Sequence, residues 1–187
     1  MSGRLPSEAC VLFGLVWGAS RSEVRSRFQD TRPVADEERA LVYRLASLVC
    51  TVSTAGGLFP SAMLSGSDRP GDEAVFGFSR DRLVSVQLGF SYGFGEIGQD
   101  PDALSEQAMS AFARAEMHRA VFEFASRYGP PALLSEVPNR RGRLHVQGTA
   151  LFGTEVGPVQ LVFGHDGGSF LAGEVRYCMA VTDGAGL

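Results

Sequence analysis

The chain contains no lysine, and all 17 of its basic residues are arginine. Isoleucine and asparagine occur once each, at Ile97 and Asn139. The bias reads as the codon usage of a GC-rich genome, but it also excludes chemistry. A lysine Schiff base cannot form. A phosphate-binding loop ending in Gly-Lys-Ser/Thr cannot exist, and protein-kinase catalysis lacks its lysine. The net charge of −4 argues against a nucleic-acid binder, which carries a basic face.

Cysteine is scarce too. Cys10, Cys50 and Cys178 make no closely spaced pair. Three widely separated cysteines do not make a disulfide framework. Buried free thiols are the expectation, with a Cys10–Cys178 bridge between two terminal strands as the alternative. Long apolar runs are missing as well. The run Cys10–Ala19 is interrupted by Gly14 and Gly18 and is too short to span a membrane. Arg4 and Glu8 before it do not make the basic start of a secretory leader. The expected location is the cytoplasm, with export the alternative if a leader has been removed.

What remains is ordinary globular material: 44% hydrophobic and 20% charged residues in 187. That length suits a single α+β domain over 1–187, or two halves, 10–98 and 99–181, sharing a core. Residues 10–17 read as a buried strand. Ser20 and Glu23 form a capping box. The short helix that follows buries Val24 and Phe28 and leaves Arg21, Arg25 and Arg27 to solvent. Asp36–Val49, with Leu41, Leu45 and Leu48 at helical spacing, reads as a second helix. Residues 51–71 read as a long loop.

A hairpin follows: Ala74–Phe78, a turn at 79–82, then Leu83–Phe94, where apolar residues alternate as in a half-buried strand. Asp100-Pro101 is the expected start of the longest helix. Met109, Ala113, Met117, Val121, Phe124 and Tyr128 make its apolar stripe. Gly129 and Pro130-Pro131 end it. Residues 136–143 read as a polar loop. The last third reads as a three-stranded meander over 144–152, 157–163 and 170–179. A helix followed by a hairpin thus occurs twice, which suggests an internal repeat. The expected architecture is an antiparallel sheet of five or six strands, with one long and one or two short helices on one face.

Signatures of catalysis are weak. Gly93, Gly95 and Gly98 fit Gly-x-Gly-x-x-Gly, but the preceding strand is in an antiparallel hairpin and the helix begins too late for dinucleotide binding. His118, His145 and His165 are far apart, so no local metal-ligand spacing exists. No cofactor or metal is expected. A His145–Cys178 pair across strands is the one conceivable nucleophilic arrangement.

Binding candidates are clearer. Phe90, Tyr92 and Phe94 alternate along one strand and would form an aromatic platform on an open sheet face, beside Trp17. Arg140, Arg141 and Arg143 form the one dense positive patch.

These segments also resemble a known family. Phe13-Gly14-Leu15-Val16-Trp17-Gly18-Ala19-Ser20 followed by Ser22-Glu23-Val24 resembles the opening of bacterial domains with the β-lactamase-inhibitor-protein-like fold. That broad group includes the outer-membrane assembly lipoprotein BamE. Tyr128-Gly129-Pro130-Pro131 is similar to the segment that ends a helix in such domains. The hairpins at Phe78–Leu83 and Phe163–Leu171 resemble their paired strands. The resemblance implies helices packed on one face of an antiparallel sheet whose open face binds proteins. Family members are usually exported, often on a lipid-anchored cysteine, and no lipobox surrounds Cys10.

The functional expectation is a non-enzymatic interaction domain whose partner is another protein or a second copy, without nucleic acid or membrane span. The alternatives are a small-molecule module with a pocket near Gly93–Gly98, or an enzyme of unrecognised type.

Overall fold

Phe13-Gly14 and Trp17-Gly18 form two tight turns where a strand was expected. Phe13, Gly14 and Gly18 all have positive φ, at 57°, 76° and 82°. Glycine adopts that conformation without a Cβ penalty. The apolar residues of the segment still reach the interior, with Phe13, Leu15 and Ala19 buried. The computed structural model describes residues 13–45, 47–48, 72–93, 105–138, 146–154, 157–165 and 170–179. For 90–93, 106, 137–138, 146–147, 165 and 170–173 that description is of the backbone.

Helix α1 spans Arg21–Arg27. Its capping box is complete: the Glu23 amide donates to the Ser20 hydroxyl, and the Ser20 amide donates to Glu23 Oε2 at 2.7 Å. Its arginines are engaged, not merely solvated. Arg21 and Arg25 both pair with Asp36, and Arg27 Nε donates to the Phe13 carbonyl at 2.5 Å.

Asp36 lies not in a second helix but in strand β1 (Ala35–Glu37), which turns through Glu38-Arg39 into β2 (Ala40–Arg44). Burial along β2 alternates, with Leu41 and Tyr43 inward. Val42 and Tyr43 favour a pleated surface, and this outweighs the helical spacing of the leucines. The chain becomes helical only at Leu45, Ser47 and Leu48.

Strands β3 (Glu73–Ser79) and β4 (Arg82–Gly93) form the expected hairpin. Its turn residues Arg80 and Asp81 both have positive φ, as tight hairpins of this twist require. The pairings Phe78–Leu83 and Gly77–Ser85 leave Val84 unmatched, which is a β-bulge. The bulge slips the alternation by one residue, so Leu83 and Val86 are both buried.

Helix α2 spans Glu106–Tyr128. Its cap is Ser105, whose hydroxyl accepts from the Ala108 amide, so the helix starts later than Asp100-Pro101 suggested. Ala113, Met117, Val121 and Phe124 of the expected stripe are buried. Arg119 pairs with Glu116 and Glu123 on the polar side. Gly129 ends the helix with φ 82°. Strand β5 (Leu133–Pro138) occupies part of what read as a polar loop. The meander is as expected: β6 (Val146–Phe152), β7 (Val159–His165) and β8 (Phe170–Cys178). His165 is the last residue of β7, paired with Val146 and Leu171.

The strands form one antiparallel sheet of eight, in the order β1-β2-β3-β4-β8-β7-β6-β5. The expected five or six strands were too few because β1, β2 and β5 were read as helix and loop. Each half of the chain is a helix followed by a four-stranded meander. The two meanders join at β4 and β8 through nine residue pairs from Ser85–Cys178 to Gly93–Phe170.

Both helices pack on the same face. One row of paired residues crosses the sheet as Leu41, Phe76, Val86, Tyr177, Val159 and Phe152, all buried. A neighbouring row, Tyr43, Ala74, Leu88, Val175, Leu161 and Ala150, is buried beside it. Each end has its own aromatic cluster. Phe28 lies 5.4 Å from Phe76 and 5.2 Å from Tyr43, while Phe124 lies 5.7 Å from Phe152. Under α2, Gly148 leaves the space that the Met117 sulfur fills.

Candidate functional site: the uncovered sheet face

A pleated strand shows alternate residues to opposite sides. The residues between the two buried rows therefore line the face turned away from both helices. One row there runs Val42, Val75, Gln87, Arg176, Gln160, Leu151 and Leu133, paired strand to strand across β2 to β5. Beside it, on β4 to β5, run Gly89, Glu174, Val162, Thr149 and Ser135. These residues are half-exposed or exposed. Among the described residues no helix or second sheet is packed over them.

The chemistry of this face is mixed. Valines and two leucines share it with glutamine, threonine, serine and one charged pair, Arg176–Glu174, whose side chains bond to each other. Gly77, opposite Ser85, gives the Ser85 hydroxyl room. Cys178 sits beside Ser85 as an exposed free thiol. The face combines apolar contact with hydrogen-bonding groups and little net charge.

The helix-covered side is a closed core. Burial pushes the Tyr177 hydroxyl well above the usual tyrosine range, and the neighbouring Tyr128 reinforces the shift. Burial also raises Tyr128 and Tyr43. These are packing groups held in the neutral form. Among the described residues, two clefts lie beside α1. One of about 590 Å³ is lined by Gly14, Leu15, Glu23, Arg27 and Asp30 among others. One of about 600 Å³ is lined by Glu38, Arg39 and Phe78 to Asp81. Among the described residues no three His, Cys, Asp or Glu side chains are placed to hold a metal ion. No helix among them is long and apolar enough to cross a membrane.

Only some of the residues singled out from the sequence lie among the described ones. Trp17 is half-buried and packs against the core. Phe90 and Tyr92 stand on β4 opposite Gly173 and Leu171, at even offsets from the inward-facing Val86 and Leu88. Phe94, Arg140, Arg141, Arg143 and His145 lie outside the described residues, as does most of Gly93–Gly98. His118 is exposed on α2 with Nε2 3.7 Å from Glu136. What the sequence reading missed is the row Val75, Gln87, Arg176, Gln160. The alternation along β4 carried part of that signal, with Gln87 on the side opposite Val86 and Leu88 as the spacing indicates, and the bulge at Val84 changes only the placement of Leu83. Comparison with family models, with curated proteins and with solved structures finds no match for this chain.

Proposed function

We propose that this protein is a non-enzymatic interaction domain that docks another protein on the uncovered face of its sheet. The observation that carries the reading is the placement of both helices on one side of an eight-stranded sheet. That leaves a broad face of half-exposed valine, glutamine, threonine and paired charge. A face of this kind supplies apolar contact and polar registration together. The resemblance to β-lactamase-inhibitor-protein-like domains points the same way, since their open sheet face binds proteins. We read the two helix-plus-meander halves as a tandem repeat whose sheets are fused at β4–β8, which widens the docking surface beyond what one half offers.

The test is capture from lysate of the source organism with the tagged full chain, followed by mass spectrometry and a purified binding assay with each protein recovered. Gln87→Glu with Gln160→Glu places two carboxylates on the face beside Glu174. This variant should lose a specific partner while keeping the far-UV spectrum of the parent. Ala115→Glu, exposed on the opposite, helical side, should retain it. A partner held equally by both variants, or lost only with Ala115→Glu, would overturn the assignment of this face.

A further inference from the structure

We draw no further inference here: the strongest candidate, the cleft between the β1–β2 and β3–β4 turns where Arg39 and Arg80 stand beside Phe78, is lined by Glu38 and Asp81 as well, so its charges balance, and nothing in the structure shows what would occupy it.

Discussion

Gly148→Ala is the most direct probe of how α2 sits on the sheet. A methyl group at Gly148 would overlap the Met117 sulfur, and Met117 is buried at 1% exposure. The sulfur must move, but the surrounding core of Ala113, Phe124, Ala150 and Phe163 is itself buried. Overpacking of this kind costs about 1–3 kcal/mol. Met117→Ala alone removes a buried side chain and costs about 2–5 kcal/mol. The two changes act on the same space, since the added methyl enters volume that Met117 vacates. The double variant should therefore lose at least about 1 kcal/mol less than the sum of the single losses, a coupling that independent sites do not show. Urea unfolding followed by circular dichroism measures all three. A change in midpoint with unchanged slope identifies a stability effect. The control is Gly77→Ala on the opposite face, where the methyl meets only the Ser85 hydroxyl. Half-exposed Ser85 can rotate away, so the loss there should be smaller. Strict additivity, or a larger loss at Gly77 than at Gly148, would refute the packing of α2 over β6 and with it the assignment of the uncovered face.

Two further outcomes are expected from groups away from that contact. Ser20→Ala should cost about 1 kcal/mol by removing the α1 cap. Part of the loss should be pH-dependent. The Ser20 amide and hydroxyl hold the Glu23 carboxyl below its usual range, so its contribution is present above the unfolded carboxylate pKa and fades as pH falls through the lower folded value. The gap between parent and variant in thermal melts should narrow towards pH 3. At the alkaline end, burial raises the Tyr177 hydroxyl, with Tyr128 adding to the shift. Its stabilising contribution is complete below the unfolded tyrosine pKa, about 10, and is lost as pH rises towards the folded value. Absorbance at the tyrosinate band should show Tyr177 ionising only as the protein unfolds, and Tyr177→Phe should move the alkaline unfolding to higher pH. Early ionisation of Tyr177 in the folded chain would contradict its placement at the centre of the core.

Local signals explain which parts of the fold were legible. The α2 stripe is a 3.6-residue pattern long enough to be unambiguous, and Gly129 followed by two prolines marks its end. The Ser20–Glu23 box and the turn at Arg80-Asp81 depend on neighbours within a few residues. Three segments were misread because short pieces of different structures carry the same pattern. Leu41, Leu45 and Leu48 fit one helical face, yet Leu41 is buried by a strand and the other two by the helical turn after it. Residues 10–17 have strand composition, but Gly14 and Gly18 turn the chain instead. Glu136 suggested a loop because it is charged, while in the fold it pairs with Arg114 across the space between α2 and β5.

The candidate site was harder to read for a related reason. One unpaired residue at Val84 breaks the alternation at the start of β4, so that Leu83 faces inward together with Val86 and Leu88. Periodicity alone cannot report that slip, because a bulge is defined by its partner strand. Composition by itself determined that the chain is globular and without lysine chemistry, and helical spacing determined where its long helix lies. Tertiary structure alone decided that the second partner of β4, beside β3, is the distant β8. It alone decided that, among the described residues, β1 and β5 are the two edges. Those outcomes depend on contacts between residues some ninety positions apart, such as Ser85 with Cys178, and no window of local sequence contains both partners.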